Sequence, residues 1–397
     1  METPFAVFQS ELEAELFNIL DYWKNNAVDL ENGGFYGKRD HHNLQIDDAP
    51  KGLVLNARIL YAFSAGYRKT KLAQYLQMAQ RAFHYLITYF IDKEFGGAYW
   101  ALDFRGKPLD TKKQIYGIAF CIYALSEYHL AMESKEALQL SKDLFLVIEE
   151  QSHDKINGGY SEAFTRNWQP ITDQRLSEKE LNSAKTMNTH LHILEAYSNL
   201  YRVWPNPQLK AQIKHLIGVF QNRFVSSKHH LHLFFTNDWQ LQSSLISYGH
   251  DIESSWLIWE AVELVMVEKA LLKELVLSIA EASREGIWVD GSILNESDLV
   301  QKEWNRERHW WQQAEAMVGF LNAWKLSGDE KYLLDMLNVW SFIKKTIKDA
   351  KNGEWFWGVF EDGSVMIAED KLGFWKCPYH NVRMCVEVLN RLDTIKA

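Results

Sequence analysis

The chain has 397 residues, 47% of them hydrophobic and 24% charged, and a formal charge of −9 at pH 7. This composition is typical of a globular chain with a large core, and the few prolines and glycines exclude a disordered or collagen-like chain. No uninterrupted apolar stretch approaches the ~18 residues of a membrane span, and the absence of a basic run argues against nucleic-acid binding. The 16 Trp, 17 Tyr and 21 Phe residues stand out.

The beginning of the chain and its cysteines bear on the compartment. The first ten residues lack the basic start and apolar run of a secretory signal, so we expect a cytoplasmic protein. Cys121, Cys377 and Cys385 contain no C-x-x-C pair. Such an odd set fits a reducing compartment and predicts neither a disulfide framework nor a structural zinc site.

Aromatic turn signals recur along the chain, most of them roughly 60 to 70 residues apart. They are NGGFY at 32–36, FGGAYW at 95–100, NGGY at 157–160, GIW at 286–288 and NGEWFWG at 352–358. The weaker match LHLFF at 231–235 fills the one double gap and completes six units. Because no linker interrupts the six units, they predict one domain spanning residues 1–397.

Two kinds of helix are predicted between the turns. The first kind repeats apolar residues with a period of 3.6, as at Leu12, Leu16, Ile19 and Trp23, and would bury one face. The second kind follows each turn and is apolar almost all round, which is typical of a buried helix; examples are 53–63, 116–125, 252–262, 314–323 and 382–392. The alternation predicts an all-α fold, a six-hairpin (α/α)6 barrel with short β-hairpins in the loops at one end.

Polar side chains occupy the first turns of the inner helices, and they should converge because the turn segments all lie at one end of the barrel. In chain order they are Arg58 near Asn56, Tyr116, Asn188 with His192, His250 with Glu253, Trp311 with Glu315, and His380. The paired residues are three or four positions apart, so each pair lies on one helical face. His190 points about 160° away from His192, which favours His192 as the site residue.

Two of the histidines lie near predicted helix starts. His250 follows Ser247, a residue type that caps helices, and His380 follows Pro378, which suits a first helical position. The positive end of a helix lowers the pKa of an imidazole and leaves a neutral base near pH 7. Glu253 and Asp251 oppose this effect, and the sequence leaves open which of the two influences is larger.

Each candidate also has a plainer interpretation. A single histidine is more often a core or surface residue, which is what we expect for the exposed pair His229 and His230. Glu253 and Glu315 could be structural ion-pair partners, and most tryptophans pack cores. The functional interpretation is favoured because polar residues recur at equivalent positions, at the starts of helices that are otherwise apolar and that are predicted to form a ring.

Metal binding is the main competing explanation for three histidines. Zinc sites usually show a local ligand pair, and the pair present, His190 and His192, is badly oriented on a helix, so we expect no metal. No Gly-rich phosphate loop, nucleophile elbow or dinucleotide fingerprint is found in the sequence. The pattern therefore predicts acid–base chemistry without a cofactor.

Six segments spread over nearly the whole chain resemble those of the cellobiose 2-epimerases, relatives of the N-acylglucosamine 2-epimerases that form six-fold α/α barrels. They are GGFYG at 33–37, NARI at 56–59, KTMNTHLH at 185–192, SYGHDIE at 247–253, WWQQAE at 310–315 and WKCPYHN at 375–381. The segment at 247–253 is the most diagnostic, because N-acylglucosamine epimerases and mannose isomerases typically carry Pro-Gly-His there. No expected catalytic position departs from the family pattern.

The resemblance implies reversible epimerisation at C2 of the reducing-end glucose of a β-1,4-linked disaccharide. Cellobiose would become glucosyl-mannose and lactose would become epilactose, through ring opening and an enediolate. His250 and His380 would move the proton on opposite faces of that intermediate, and the family analogy favours His380 for ring opening. Arg58 and His192 would donate hydrogen bonds to the enediolate oxyanion.

The resemblance also implies a set of substrate-binding residues. Asn188 would orient the sugar, Glu253 would orient or tune His250, and Glu315 would bond sugar hydroxyls. The aromatic members of the set, whose rings would contact the two sugars, are Trp311, Trp375, Trp256 and Tyr116.

Three alternatives remain open at this stage. A mannose-type aldose–ketose isomerase shares the enediolate but returns the proton to C1. A glycoside hydrolase on the same barrel needs two carboxylates, which Glu253 and Glu315 could supply, and a non-catalytic carbohydrate-binding protein is the third alternative. We expect a small neutral disaccharide as partner, no nucleic acid, no membrane, and a monomer or weak homodimer.

Overall fold

Twelve α-helices run through residues 4–298 and 300–396, the part of the chain that the computed structural model describes. They are α1 (Pro4–Asn26), α2 (Leu53–Thr70), α3 (Ala73–Tyr85), α4 (Ile115–Met132), α5 (Lys135–Gln151), α6 (Met187–Val203), α7 (Pro207–Val219), α8 (Tyr248–Val265), α9 (Lys269–Ser283), α10 (Trp310–Ser327), α11 (Glu330–Phe342) and α12 (Tyr379–Lys396). The odd-numbered helices bury one face, whereas the even-numbered helices are buried along most of their length.

The even-numbered helices form the inner layer. Each contacts the next one along the chain, and α12 returns to contact α2, so the inner helices close a ring. The odd-numbered helices pack on the outside of this ring, α3 against α2, α5 against α4 and α1 against α12. The (α/α)6 barrel predicted from the alternation of half-buried and buried helices is confirmed.

The inner helix α4 has the length and apolar composition of a membrane span. Among the described residues, α4 is long and apolar enough to cross a bilayer, with a mean hydropathy of 1.2 over 18 residues. Of these residues 78% are buried inside the structure. The apolar character of α4 therefore reflects its place in the inner layer, where all sides of a helix meet other helices.

Short strands lie in the connections that precede the inner helices. In the described residues they are β1 (Lys51–Gly52), β2 (Ala101–Leu102), β3 (Pro108–Asp110), β4 (Lys113–Gln114), β5 (Ala163–Phe164), β6 (Lys185–Thr186), β7 (Phe234–Phe235), β8 (Leu245–Ser247), β9 (Glu296–Asp298), β10 (Glu303–Asn305), β11 (Arg308–His309) and β12 (Gly358–Val359). The weakly matching segment at 231–235 does form a hairpin, since Leu231 bridges Val225.

The strands join neighbouring units of the ring. A strand that leads into an inner helix pairs antiparallel with a strand of the following unit: β1 with β2, β4 with β5, β6 with β7, β8 with β9, and β11 with β12. The last unit is linked to the first by a bridge in which the Arg39 N–H donates to the Leu372 carbonyl at 2.8 Å. The connections therefore form a second ring at the end where the inner helices begin.

Buried ion pairs stabilise four of the turns in the described part of the chain. In each, an aspartate accepts backbone N–H groups from two and three residues further on and contacts a lysine that precedes the next inner helix. The pairs are Asp29–Lys51, Asp92–Lys113 and Asp154–Lys185 at 2.8 Å and Asp349–Lys371 at 2.5 Å. In the first turn, Gly33 and Gly34 have φ of 79° and 62°, a region that favours glycine.

Candidate active site

A cavity of about 510 Å³ lies at the end of the barrel where the inner helices begin. Most of the residues singled out from the sequence line it, namely Arg58, Tyr116, Asn188, His192, His250, Glu253, Trp311, Trp375 and His380. They come from every inner helix or from the segment just before it. The in-register spacing of polar residues along the chain thus corresponds to a single concave surface.

His250 lies in the first turn of α8, and its Nδ1 is 2.9 Å from Oγ of Ser247. Ser247 is the residue at the N-terminal cap of α8, but its side chain makes no capping hydrogen bond and contacts the imidazole instead. Burial lowers the pKa of His250 to about 3, and the neighbouring His192 adds to the effect. His250 is therefore a neutral base at pH 7.

Trp311 lies close to both of the histidines that are expected to transfer protons. Its ring centroid is 4.7 Å from that of His250 and 5.7 Å from that of His380. Gly249 allows this close approach, because a Cβ there would lie 2.4 Å from Cγ of Gln312 and 2.8 Å from the Trp311 ring. A larger residue at 249 would displace the indole from the histidines.

His380 lies at the start of α12, with its Nδ1 2.6 Å from Oε1 of Glu315 on α10. Burial lowers the pKa of His380 well below its ordinary value, and Arg58 and Arg383 lower it further. Burial also raises the pKa of Glu315, so the pair can exchange a proton across this short contact. Because Nδ1 is engaged by the carboxylate, Nε2 is left for the cavity.

His192 is oriented by a carboxylate on its own helix. Its Nδ1 is 2.8 Å from Oε2 of Glu195, and its ring packs against the rings of Tyr116 and Phe120 at centroid distances of 5.1 and 4.7 Å. Although burial acts to raise the pKa of Glu195, Arg383 and His192 lower it to about 2. Glu195 is thus an ionised acceptor, and Nε2 is the remaining polar atom of His192.

Arg58 is held beside the cavity by aromatic residues. Its Nη2 donates to the hydroxyl of Tyr116 at 2.7 Å, and its guanidinium carbon is 4.2 Å from the Phe120 ring centroid and 4.7 Å from that of Tyr379. Among the described residues, neither Nε of Arg58 nor Oδ1 of Asn188 has a hydrogen-bond partner, although both atoms are buried. Unpaired buried polar atoms in a cavity are suited to bind a polar ligand.

Arg383 is buried beneath the cavity and was not among the residues proposed from the sequence. Its Nη1 donates to Glu195 and to the hydroxyl of Tyr379, and its Nη2 lies 2.6 Å from oxygens of both Glu253 and Glu315. One guanidinium therefore connects carboxylates of α6, α8 and α10 to α12.

The sequence did contain a signal for this cluster. Glu195 follows His192 by three positions, and Arg383 follows His380 by three positions, the same relation that places His250 and Glu253 on one helical face. A charged residue inside an otherwise apolar inner helix must find a buried partner. The recurrence of polar residues at helix starts indicated His192 and His380, but not the charged residue three positions beyond each of them.

Two expected substrate contacts are corrected by the structure. Glu315 is 1% exposed, and both of its oxygens already accept, Oε1 from His380 and Arg383 and Oε2 from Nε1 of Trp256 at 3.2 Å. Trp256 is also 1% exposed and packs over the Arg383 guanidinium. Glu315 therefore lies against His380 and Trp256 lies against Arg383, and neither side chain lines the cavity in which a sugar would bind.

The expected role of Glu253 also changes. Glu253 lines the cavity, but its Oε1 accepts from Arg383, and the imidazole of His250 is held by Ser247. Burial raises the pKa of Glu253 to about 7, with Glu315 adding to the effect and Arg383 opposing it. Glu253 is therefore part of the Arg383 cluster and does not orient His250.

One of the two histidines expected to be exposed is buried. His230 was expected to be exposed; it is 1% exposed, and its Nδ1 is 2.7 Å from Asp251. Asp251 also accepts the backbone N–H of Leu231, so it anchors a turn and faces away from His250. His229 is exposed as expected.

His190 is buried on the other side of α6 from the cavity. Its Nδ1 is 2.7 Å from the Thr186 carbonyl, and its Nε2 accepts the Tyr160 N–H at 2.9 Å. Burial lowers the pKa of His190 to about 3. Because both ring nitrogens are occupied, the choice of His192 over His190 agrees with the geometry.

The carboxylates near His380 raise the question of a metal ion. Ligand atoms of Glu253, Glu315 and His380 lie within 4.8 Å of one another. Nη2 of Arg383 lies 2.6 Å from both carboxylates, so a guanidinium already supplies the positive charge at this position. The donor set fits an arginine better than a divalent cation, which would be repelled by that charge.

The mouth of the cavity is formed by a segment to which the sequence analysis assigned no role. Residues 177–180, between β5 and β6, line the cavity together with 369–370 and 373–375. Nζ of Lys179 lies 3.8 Å from Glu369 across the mouth, and burial raises the pKa of Glu180 to about 7. The segment is polar and has no periodicity, so no pattern marked it as part of the site.

Comparisons with known proteins agree with this architecture. A family model described as N-acylglucosamine 2-epimerase (GlcNAc 2-epimerase) matches residues 34–383. A cellobiose 2-epimerase of Bacteroides fragilis is 49% identical over 388 residues, which is 96% of this chain and 99% of that protein. The chain belongs to the N-acylglucosamine 2-epimerase family. The resemblance first seen in six short segments is thereby confirmed over almost the whole length.

Two further relatives also match this family member over nearly its whole length. A cellobiose 2-epimerase of Dictyoglomus turgidum is 39% identical, over 97% of this chain and 99% of that protein. The solved structure of the cellobiose 2-epimerase from Bacillus thermoamylovorans superposes with a TM-score of 0.94 at 40% identity, over 97% of this chain and all of that one. The chain is accordingly an isomerase of the epimerase type.

Proposed function

We propose that this isomerase epimerises C2 of the reducing-end glucose in β-1,4-linked disaccharides, converting cellobiose to glucosyl-mannose and lactose to epilactose. The names of the relatives support cellobiose as a substrate. The observation that carries the proposal is the pair of imidazoles, His250 and His380, that contact one indole ring in a single cavity. Inversion at one carbon requires a proton-transfer group on each face, and these two histidines supply them.

The proposed reaction begins with opening of the sugar ring, because the C2 proton is acidic only beside a free carbonyl. His380 would assist this step, as family analogy suggests. His250 then accepts the C2 proton, which leaves an enediolate, and the His380–Glu315 pair delivers a proton to the opposite face of C2. His250 then loses its proton to solvent and the His380–Glu315 pair regains one, so each turnover takes one proton from C2 and returns one; in the reverse direction the two groups exchange roles.

The oxyanion of the enediolate needs fixed hydrogen-bond donors, which usually provide the largest catalytic contribution. Arg58 supplies a permanent positive charge with an unpaired Nε. His192, whose Nδ1 faces Glu195, would donate a hydrogen bond from Nε2. Asn188, with its unpaired Oδ1, would accept from a sugar hydroxyl and so fix the orientation of the open chain.

Aromatic rings would hold the sugar rings. Trp311 and Trp375 are partly exposed in the cavity, and Trp375 packs against Tyr116 at a centroid distance of 6.0 Å. A cavity of about 510 Å³ lies within the range of small-molecule sites and is large enough for a disaccharide.

The deciding experiment is incubation of the protein with cellobiose in D2O. We expect glucosyl-mannose to form and deuterium to enter C2 of the reducing-end sugar, because the abstracted proton exchanges with solvent. Glucose release without deuterium uptake would instead indicate a glycoside hydrolase, and conversion of mannose to fructose without epilactose from lactose would indicate an aldose–ketose isomerase. If cellobiose, lactose and mannose, each incubated separately, all failed to react, the chain would be a binding protein and the proposal would be refuted.

The same assay tests the absence of a cofactor. Every group in the proposed mechanism is a side chain of this chain, so dialysis against EDTA should leave the rate unchanged. A rate that falls with EDTA and returns with a divalent cation would contradict the cofactor-free mechanism.

A further inference from the structure

The Arg383 cluster couples two carboxylates to two imidazoles. Glu195 accepts from Arg383 through Oε1 and contacts Nδ1 of His192 through Oε2. Oε1 of Glu315 lies 2.6 Å from both Arg383 and Nδ1 of His380. Arg383 is therefore one side chain removed from each of two cavity histidines, and it touches neither of them through a hydrogen bond among the described contacts.

We propose that Arg383 is a positioning residue, which fixes the rings of His192 and His380 by holding the two carboxylates against which they rest. The proposal rests on the proposed function, because those rings are assigned to oxyanion binding and to proton transfer. A guanidinium suits the task, since its planar fork can bind carboxylates on two sides at once.

Arg383 also offsets the charge of the cluster. Three carboxylates surround it, and without a cation they would either take up protons or draw protons onto the adjacent imidazoles. The titratable and charged groups that face Arg383 are Tyr61 of α2, Tyr123 of α4, Glu195 of α6, Glu253 of α8, Glu315 of α10, and Tyr379, His380 and Glu387 of α12. Burial lowers the pKa of His380, and the Arg383 charge lowers it further together with Arg58, His192 and His250, so loss of Arg383 would raise that pKa.

Substitution of Arg383 tests geometry and charge separately. Arg383→Gln removes both, and we expect kcat for cellobiose to fall about 100-fold, as for a misplaced catalytic group, with KM changed less than about threefold. The acid limb of its kcat/KM profile should move about one pH unit upward. Arg383→Lys keeps the charge but loses the fork, so we expect a kcat about tenfold below the parent and an unshifted acid limb.

A matched control is Arg202→Gln. Arg202 also connects two inner helices, through Glu260 on α8 at 2.6 Å, but lies outside the cavity lining. This variant should keep the parental kcat, KM and pH profile. Equal losses in Arg202→Gln and Arg383→Gln would assign a merely structural role to Arg383 and overturn the proposal.

A second measurement does not depend on sugar chemistry or on the folding of one variant. The His380 imidazole can be titrated by NMR with ring-labelled histidine, using His380→Asn to assign its signal. We expect its pKa to rise in Arg383→Gln and to stay unchanged in Arg383→Lys and Arg202→Gln. If Arg383→Gln does not fold, Arg383→Lys with a parental kcat would overturn the proposal. If the parent protein does not epimerise cellobiose, the titration still tests the link between Arg383 and His380.

Discussion

At the scale of single residues, His250 and His380 contact the same indole but are held by different partners. A serine hydroxyl contacts His250, whereas a carboxylate backed by Arg383 contacts His380. A carboxylate of raised pKa can share a proton with its imidazole, and a serine cannot. His250 is thus suited to accept the C2 proton, and His380 with Glu315 is suited to deliver one.

The first prediction concerns loss of either proton-transfer group. His250→Asn and His380→Asn should each lower kcat for cellobiose by about 10² to 10⁴-fold, the usual contribution of a general acid or base. His229→Asn, which changes an exposed histidine outside the cavity, should leave kcat unchanged. Initial rates with circular dichroism of each variant provide the check, and a folded His250→Asn or His380→Asn variant with more than a tenth of the parental rate would refute the two-base mechanism.

The second prediction concerns pH. Burial lowers the pKa of both His250 and His380 below 6.5, so the neutral bases persist on acidification and are lost only as pH falls through the lowered values. We expect kcat/KM at pH 6 to remain within about twofold of its value at pH 7, since the kcat/KM profile reports groups of the free enzyme. An acid limb with its midpoint at or above pH 6.5, in protein shown to be folded at that pH, would contradict this.

Most of the candidate site could be located from the sequence because the inner helices are otherwise apolar and polar residues recur at their starts. The direction of the His250 pKa shift was left open by the sequence, because the helix end and the nearby carboxylates act in opposite directions; the pKa is lowered, and burial is the largest cause. Which partner each side chain takes could not be predicted. Glu315 and Glu253 face Arg383 because four inner helices converge there, and that convergence is a property of the closed ring.

At the scale of elements, the hairpin turns are stabilised by buried charges rather than by apolar contacts alone. Although burial acts to raise the pKa of Asp29, the backbone N–H of Asn32 and the Lys51 ammonium lower it overall. Lys51 also donates to the Gly33 carbonyl at 2.7 Å. The lysine thus joins a turn to the strand that leads into an inner helix.

The third prediction is that Lys51→Met destabilises the protein by about 3 to 5 kcal/mol, because it leaves the Asp29 carboxylate buried without its partner. The control is Lys24→Met, which breaks a partly exposed pair with Asp21 and should cost less than about 1 kcal/mol. Urea unfolding followed by circular dichroism measures both. Equal midpoints for the two variants would show that the buried pair contributes no more than a surface pair.

The helices were predictable from the sequence and the strand pairing was not. Helical periodicity extends over many residues in each unit, so both kinds of helix could be distinguished. The strands have two or three residues, too few for an alternating pattern. Some pair within one connection, as β2 does with β3, and others pair with a strand of the next unit, as β1 does with β2 and β6 with β7. Their partners depend on how neighbouring units lie in the ring.

At the scale of the whole molecule, the ring closes between the first and last parts of the chain. The Arg39–Leu372 bridge links the connections at the cavity end, and α1 packs against α12. At the opposite end Gln9 donates to Asp393 at 3.4 Å, which brings the start of α1 near the end of α12. The gap between α12 and α1 therefore occupies a place in the ring that is equivalent to a connection between two neighbouring units.

The last prediction follows from this closure. A circular permutant that joins the original termini through a short Gly-Ser linker and begins at Ser134, between α4 and α5, should fold and retain kcat within about threefold. The α4–α5 connection lies at the end opposite the cavity, so opening the chain there leaves every cavity residue on an intact element. Permutation is tolerated where the termini are adjacent and the opened loop is exposed.

A permutant opened between Glu178 and Lys179, at the cavity mouth, should fold but lose kcat/KM. Thermal unfolding and initial rates distinguish these outcomes; an insoluble or non-cooperative Ser134 permutant would show that closure of the ring depends on continuity between α4 and α5 and not on the contact of α1 with α12.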